Sequence, residues 1–169
     1  VFVAVAVAVA GGGAALVAAE AEQAELLATL RVEDFRTVDH YMTALTGLRT
    51  RRGHLISLRE LRFVDLGRVD AFEEEVKDQF ERVSRACVDF LLDGTAFTPL
   101  TEQIDALLVK IEACSKVSAL KELEAEQGRL TEGLDVLTEV ISGLQIDDAT
   151  ARTAILEAIG EVFAHLNRV

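Results

Sequence analysis

Apolar residues recur at intervals of three and four along most of the chain, and this spacing constrains the fold more than any other feature. It is most regular from Val69 to Phe90 and again from Leu120 to Leu144. Such a period places the apolar side chains on one face of an α-helix. The chain of 169 residues contains a single proline, Pro99, and only 5% aromatic residues. We therefore predict an all-α fold with a core of leucine, valine, isoleucine and alanine.

The segment 120–144 has the heptad spacing of a coiled coil, with Gln127 as a polar core position. Its flanking positions carry no ladder of opposite charges, and Gly128, Gly133 and Gly143 each weaken the helix. This combination favours an elongated antiparallel helical bundle or coiled-coil hairpin within one chain over a free-standing zipper. The last helix should bury Ile155, Ile159, Val162 and Leu166.

Helix boundaries in the first half follow from capping and breaking residues. Glu33 and Asp34 are expected to begin a helix, because acidic residues suit its first turn. That helix should end by Gly53. Ser57 and Glu60 have the spacing of a capping box, so a new helix is expected to begin there.

In the second half, residues 93–97 are predicted to form a loop. Thr98 is the expected N-cap of the following helix, with Pro99 in its first position. A turn or stutter is expected at 114–118, and Asp147 with Asp148 should cap the last helix.

The first nineteen residues carry no charge and alternate valine with alanine before Gly11, Gly12 and Gly13. The two-residue alternation favours a short apolar strand followed by a glycine turn. A membrane-associated segment and a chain fragment are the alternatives, and both ends look cut. We predict three regions: the apolar segment 1–19, N-terminal helices at 20–66, and a helical bundle at 67–169.

Charge is unevenly distributed along the chain. The net charge is −12, which disfavours a general nucleic-acid surface. Residues 49–68 nevertheless hold six arginines against Glu60 and Asp65, a net charge of +4. These arginines could pair with the acidic helix 72–81, or they could contact phosphates or an acidic partner. The candidate contact residues are Arg49, Arg51, Arg52, Arg59 and Arg62.

No catalytic or ligand-binding motif is recognisable in the sequence. The glycines at 11–13 precede alanines, where a phosphate-binding loop needs lysine and serine or threonine. His40, His54 and His165 lack the Glu-x-x-His spacing of di-iron bundles, and no Cys-x-x-Cys occurs. We therefore predict a chain with no catalytic site, cofactor or metal. Two cysteines on apolar helix faces favour a reducing, cytoplasmic location.

Two segments resemble a known family: residues 55–66, LISLRELRFVDL, and residues 144–167, which begin LQIDDAT. They are similar to the long helical region of the large bacterial family of AAA+ DNA repair ATPases. The similarity runs from about Val32 to Val169. In that family the nucleotide site belongs to a separate module, so no Walker residues are expected here.

The resemblance implies a non-catalytic helical arm of a larger AAA+ ATPase, which binds a protein partner or transmits motion. DNA contact is a further possibility that the family's DNA repair role suggests. The alternative is a self-contained, membrane-tethered helical scaffold or adaptor, anchored through residues 1–19.

Overall fold

A computed structural model describes residues 2–114, 117–143 and 149–168, with side chains for 11–114, 119–143 and 149–168. The all-α prediction is confirmed: the described residues form helices and contain no strand. The α-helices are α1 (Phe2–Thr29), α2 (Val38–Leu58), α3 (Leu66–Leu91), α4 (Thr98–Glu112), α5 (Val117–Gly143) and α6 (Ala149–Leu166), with a short 3₁₀ helix at Val32–Asp34. The coiled-coil hairpin stays a prediction.

The strand predicted for the apolar N-terminus is wrong, because residues 2–29 form one continuous helix. The alternating residues are valine and alanine, both apolar, so the period of two defines no polar face. A helix also satisfies its own backbone hydrogen bonds, whereas a strand needs a partner, and the described residues offer none. No helix in the described part of the chain is long and apolar enough to cross a membrane.

The boundaries predicted for α2 are also corrected. Glu33 and Asp34 lie in the 3₁₀ helix, and α2 begins only at Val38. The side chain of His40 decides this start, since its Nδ1 lies 3.3 Å from the backbone N–H of both Arg36 and Thr37. Capping of this kind satisfies N–H groups that the first turn leaves unpaired.

At its other end, α2 continues through Gly53 to Leu58. One helical glycine costs roughly 1 kcal/mol. Burial of a leucine contributes about 2 kcal/mol, and Leu55 is completely buried two residues later. Ser57 is therefore no N-cap: its hydroxyl lies inside α2 and donates to the carbonyl oxygen of Gly53 at 3.2 Å.

The predicted helix over 69–90 and the loop at 93–97 are confirmed. Asp93 organises the loop, because its Oδ1 accepts the backbone N–H of Thr95 at 3.0 Å and the hydroxyl at 2.8 Å. These two hydrogen bonds hold the pKa of Asp93 below its ordinary value. The N-cap of α4 is Phe97 and not Thr98, which is the first helical residue.

The described chain divides into two compact units. Unit 1 comprises residues 1–34 and 47–83, and unit 2 comprises 35–46 and 84–169. The core of unit 1 includes Leu16, Leu30, Leu48, Leu55, Val69 and Val76. The core of unit 2 includes Tyr41, Met42, Leu45, Ile104, Leu107, Leu134, Leu137 and Ile141. The predicted domain division into 1–19, 20–66 and 67–169 stays a prediction.

In unit 2, α4, α5 and α6 pack against one another. The predicted inner face of α6 is confirmed, since Ile155, Ile159, Val162 and Leu166 are all buried. The seam of α5 is buried from Leu130 onward, whereas Leu120 is 39% exposed. Of the turn or stutter predicted at 114–118, Cys114 follows α4 and Val117 begins α5, while 115–116 lie outside the described residues. The seam residue Leu144 and the cap at 147–148 also lie outside them.

Candidate functional site

Arg51 is one of the five arginines predicted as contact residues, but its side chain lies inside unit 1. It is only 4% exposed. Its guanidinium donates to Glu22 Oε2 at 2.7 Å, to Gln23 Oε1 at 3.4 Å and to the carbonyl oxygen of Ala19. Gln23 is itself buried and donates onward to Glu75. Arg51 therefore links α1 to α2 within unit 1, and its contact with a partner stays a prediction.

Arg59 is likewise occupied by intramolecular pairs. Its Nε and Nη2 donate to the two carboxylate oxygens of Glu73 at 2.9 and 2.8 Å, and Nη2 also donates to Asp70. A two-pronged contact of this kind fixes both partners in one geometry. The hydrogen bond from Arg59, with smaller contributions from the charges of Arg59 and Arg52, holds the pKa of Glu73 below its ordinary value. The predicted pairing with the acidic helix is thus confirmed for Arg59.

The other three predicted contact residues, Arg49, Arg52 and Arg62, have exposed side chains. Arg49 and Arg52 are three residues apart on α2, so they lie on neighbouring parts of its surface. Arg52 and Arg62 make no ion pair with any residue that the structure describes. The positions of Arg52 and Arg62 are therefore accessible to a partner.

Around Arg62, unit 1 exposes several large apolar side chains that are close together in the sequence. We define residues 56–66, the end of α2 and its connection to α3, as the tip. Four large apolar side chains of the tip are exposed: Ile56 by 51%, Leu61 by 43%, Phe63 by 56% and Leu66 by 50%. Single exposed apolar residues are normal on a surface, whereas a contiguous group marks an interaction site.

The tip is held in an uncommon backbone conformation. Phe63 has a φ of 62°, in the left-handed region that residues with bulky side chains avoid. Such strain costs of order 1–3 kcal/mol and persists only where the surroundings enforce it. The backbone of α1 passes close to this residue. A Cβ at Gly12 would lie 3.1 Å from the carbonyl oxygen of Phe63 and 3.3 Å from that of Arg62. Gly12 thus lets the helix backbone lie directly against the tip.

A groove runs beside the tip, between α1 and the last turns of α2. It encloses about 400 Å³ and is lined mainly by the alanines Ala15, Ala18 and Ala19 and by Leu58 and Leu61. Glu22, Arg51, His54 and Ser57 lie at its polar side. The groove is therefore mainly apolar, with small side chains along α1, and could accommodate side chains of another protein.

Sequence patterns alone did not identify the tip. The hydrophobic spacing predicts that Leu58, Leu61 and either Val64 or Phe63 face inward from a new helix, but Leu61 and Phe63 are exposed. The only local signal was the interruption of the spacing between Gly53 and Gly67. Arg68 was grouped with the basic window, yet it pairs with Glu20 at 2.5 Å and stacks over the ring of Phe72.

Unit 2 contains a second cavity of about 530 Å³, between the start of α4 and the end of α6. Its lining includes Thr98, Thr101, His165 and Arg168. His165 lies 2.6 Å from Asp105, which fixes the imidazole ring. No nucleophile, base and third group are brought together there in a catalytic geometry.

The described residues contain no group of three or more histidine, cysteine, aspartate or glutamate side chains that could hold a metal. Neither cysteine is in a disulfide. Burial raises the pKa of the Cys87 thiol to about 12, so it stays protonated and unreactive at neutral pH.

Comparison with known proteins bears on the second half of the chain. A family model described as a domain of unknown function (DUF7902) matches residues 95–169. No curated protein and no solved structure matches the chain. The matched segment begins in the loop before α4 and contains α4, α5 and α6, the three helices that pack against one another.

Proposed function

We propose that the chain is a non-catalytic helical interaction arm of a larger AAA+ ATPase, and that it contacts a partner protein through the tip. The observation that carries this proposal is the exposure of Ile56, Leu61, Phe63 and Leu66 within eleven residues. Phe63 is exposed although its backbone is strained. Such strain lowers the stability of the fold and is found mainly at functional sites.

The parent ATPase is proposed from the resemblance of residues 55–66 and 144–167 to the helical region of AAA+ DNA repair ATPases. The first of these segments coincides with the tip. In this proposal the nucleotide site lies elsewhere in the parent, and the arm recruits a partner or transmits motion. We place the protein in the cytoplasm, where its two cysteines would stay reduced.

A protein partner is favoured over DNA because of the ion pairs and the neighbours of the candidate arginines. Two of the five candidates, Arg51 and Arg59, are occupied by carboxylates of unit 1. Arg62 lies between the exposed Leu61 and Phe63, and apolar side chains add little to phosphate binding. DNA binding would show a steep loss of affinity with salt. Its detection at the tip would mean that DNA, and not a protein, is the partner there.

The test has two parts. The native polypeptide is captured from its own cells with an antibody to residues 70–169, and its intact mass is measured. A mass well above 18.4 kDa is expected. The 169-residue chain itself should hydrolyse no ATP. A native mass equal to this chain, or ATP hydrolysis by the chain alone, would contradict the proposal.

The contact surface is tested with a photo-crosslinking amino acid placed at Phe63 in the native protein. The matched control carries it at Leu92, which is exposed to a similar extent, 53%, but lies in unit 2. We expect discrete cross-linked products from position 63 and none from position 92. Equal cross-linking from both positions would show that the tip is an ordinary surface.

A further inference from the structure

We propose that the imidazole of His40 is a pH-sensitive cap, which holds the start of α2 only while the ring is neutral. This inference does not depend on the proposed function, because residues 35–46 belong to unit 2 and the tip belongs to unit 1. Since α2 begins at Val38, Thr37 is its N-cap and His40 is its third residue. A capping box carries glutamate or glutamine at this third position, with serine or threonine as the N-cap. The sequence from Thr37 to His40 therefore has the form of a capping box in which histidine is the acceptor.

The ring accepts the hydrogen bonds that glutamate would accept in a capping box. His40 Nδ1 lies 3.3 Å from the backbone nitrogen of Thr37 and 3.3 Å from that of Arg36. The hydroxyl oxygen of Thr37 lies 3.0 Å from the same ring nitrogen. Because a backbone N–H can only donate, Nδ1 presents its lone pair, and the neutral ring carries its proton on Nε2. The geometry at the start of α2 thus requires an uncharged imidazole.

A proton on Nδ1 removes this acceptor. Imidazolium has two donors and no acceptor, so the backbone N–H groups of Arg36 and Thr37 would lose their partner. The hydroxyl of Thr37 could turn and accept from the ring, but a backbone N–H has no such alternative. The positive charge would also lie in the first turn of α2, where the helix dipole disfavours cations. Protonation of His40 and capping of α2 by its ring therefore exclude each other.

The capped turn is joined to the core of unit 2 through aromatic rings. The ring of Phe35 stacks on that of His40 with a centroid distance of 5.7 Å, and it meets the ring of Tyr41 edge-on at 5.0 Å. Tyr41 is buried, and its ring lies 5.2 Å from that of Phe90 on α3. Val38, in the same first turn, is also buried. We therefore expect loss of the cap to loosen Phe35 and the first turn of α2.

Charged groups of both signs lie around the ring. Arg36 disfavours a proton on the imidazole and Asp39 favours one, and both lie within four residues of the ring. Burial, with smaller contributions from Cys87 and Asp89 of α3, raises the pKa of the neighbouring Tyr41, so these are the titratable groups behind the cap. Carboxylic acids, guanidinium groups, thiols and phenols ordinarily keep one charge state between about pH 5 and 7.5, whereas imidazole does not.

The helix α5 approaches α2 on a different side. A Cβ at Gly133 of α5 would meet the side chain of Met42. Met42 follows His40 by two residues, which is about 200° around the helix axis. The charged residues of α5 therefore face another side of α2 than the imidazole does.

The cap should make the stability of unit 2 depend on pH between about 5 and 7.5. It exists only in the folded chain, so a proton on the ring removes hydrogen bonds from the folded state and none from the unfolded state. This contribution is therefore present where the imidazole is neutral and is lost as the pH falls through the range in which imidazole takes up a proton. His165 acts in the opposite direction, because protonation would strengthen its contact with Asp105, in which Nε2 lies 2.6 Å from Oδ1. Variants at His40 separate the two effects, since His165 is the same in all of them.

The experiment compares the full chain with the variants His40→Gln and His40→Ala by NMR, which measures hydrogen exchange at the backbone amides of Arg36 and Thr37. The side-chain oxygen of glutamine accepts an N–H at every pH, whereas alanine has no acceptor at any pH. After correction for the intrinsic pH dependence of exchange, we expect the parent chain to protect these amides as well as His40→Gln does near about pH 7.5. Near about pH 5 its protection should fall to that of His40→Ala, a loss of about fivefold for a typical N-cap.

Two results of this comparison would overturn the proposal. Equal protection in all three chains at the higher pH would show that the ring of His40 caps nothing. A parent chain that follows His40→Gln down to the lower pH would show that the cap survives and that no switch exists.

The variant His54→Gln is the matched control, because it makes the same substitution at an exposed histidine of α2. Exchange at Arg36 and Thr37 should equal that of the parent chain at each pH. If His54→Gln instead removed the pH dependence as His40→Gln does, the effect would not belong to the cap, and the proposal would be wrong.

A second measurement needs no substitution and so does not depend on the folding of any variant. In the parent chain, the nitrogen chemical shifts of the Arg36 and Thr37 amides should follow the same titration curve as the ring of His40. Coincident curves support the cap as the element that responds to the proton. Amide shifts that stay constant while the ring titrates would overturn the proposal.

Discussion

Arg51 shows how much the surroundings decide the role of a single residue. Its guanidinium supplies donors to Gln23 and to the carbonyl oxygen of Ala19, which are 2% and 3% exposed. The substitution Arg51→Met would keep the apolar length of the side chain but leave both acceptors without this donor. We expect a loss of about 1–3 kcal/mol in the free energy of unfolding.

Arg52→Met is the matched control, because Arg52 is exposed and has no ion-pair partner among the described residues. Its effect should stay within about 0.5 kcal/mol. Urea denaturation of both variants measures the difference. If the two losses were equal, the buried hydrogen bonds of Arg51 would contribute nothing measurable to stability.

Gly133 marks a close contact in the core of unit 2. A Cβ there would lie 2.8 Å from the sulfur of Met42 and 2.9 Å from its Cβ. The sulfur could move, but the Cβ of Met42 is fixed to the backbone of α2. We expect Gly133→Ala to destabilise the chain by about 1–3 kcal/mol through overpacking.

Gly128→Ala provides the comparison on the same helix, since its Cβ would meet no atom within 4 Å. Helix propensity should make it stabilising by up to about 1 kcal/mol. Thermal unfolding of both variants should therefore shift in opposite directions. A stabilising Gly133→Ala would mean that α2 and α5 are less closely packed than described.

Some of these residue roles follow from the sequence and others do not, for a physical reason. The buried positions of α6 were predicted because helical period alone defines an apolar face. The role of Arg51 was not, because Glu22 and Gln23 lie 29 and 28 residues away in the chain. A residue type indicates what bonds are possible, and only the tertiary fold decides which of them form.

At the scale of elements, the contact between α1 and the tip can be tested through three adjacent glycines. Gly11 and Gly13 would place a Cβ in open space, whereas Gly12 would place it against the backbone of Arg62 and Phe63. Gly13→Ala should stabilise α1 by up to about 1 kcal/mol. Gly12→Ala should not stabilise α1 in this way. Its added Cβ would meet backbone carbonyl groups, which cannot rotate away as a side chain can.

The same pair of variants reports on the tip. Gly12→Ala should raise the amide hydrogen exchange of residues 60–65, and Gly13→Ala should not, which mass spectrometry can measure. Unchanged exchange in Gly12→Ala would show that α1 does not hold the tip in place.

The pairing of Arg59, the residue after α2, with Glu73 of α3 predicts an acid dependence. Glu73 has a pKa below its ordinary value, chiefly because it accepts a hydrogen bond from Arg59. A carboxyl group of this kind stabilises the fold above its unfolded pKa, and this contribution is lost as pH falls through the folded pKa. Stability should therefore decline below the ordinary pKa of glutamate, and Glu73→Gln should make the decline less steep.

Glu74→Gln is the control for this acid dependence, because Glu74 is exposed and its only described ion pair is with Lys77 on the same helix. We expect the urea midpoints of Glu74→Gln, measured from neutral to acidic pH, to follow those of the parent chain closely. Identical profiles for Glu73→Gln and the parent would contradict the assigned role of the Arg59 pair.

At this scale the sequence predicts which segments of the chain are helical, but not where those helices begin and end. The spacing from Val69 to Phe90 identified α3 because one face is apolar over six turns. Gly53 was expected to end α2, yet the burial of Leu55 outweighs one glycine. At the N-terminus, the period of two indicated a strand because no polar residues distinguish a helical face.

At the scale of the whole molecule, the segment that matches the family model does not coincide with unit 2. The matched segment 95–169 contains α4, α5 and α6, but unit 2 also includes residues 35–46, which contain the start of α2. Met42 from that segment is 3% exposed and lies against Gly133 of α5. No local pattern in the sequence predicts this contact, because the two residues are far apart in the chain.

We therefore expect the isolated fragment 95–169 to be less stable to urea than the same helices in the full chain. Removing Met42, Leu45 and their neighbours exposes apolar surface of α5, and each large buried side chain contributes about 1.5–3 kcal/mol. A peptide of residues 35–46 added in excess should raise the urea midpoint of the fragment, because a ligand that binds only the folded state stabilises it. The same peptide with Met42→Asp should have no effect, since an aspartate would bury an unpaired charge beside Gly133. A fragment as stable as the full chain, and indifferent to both peptides, would mean that the matched segment is a complete folding unit and that α2 contributes little to its core.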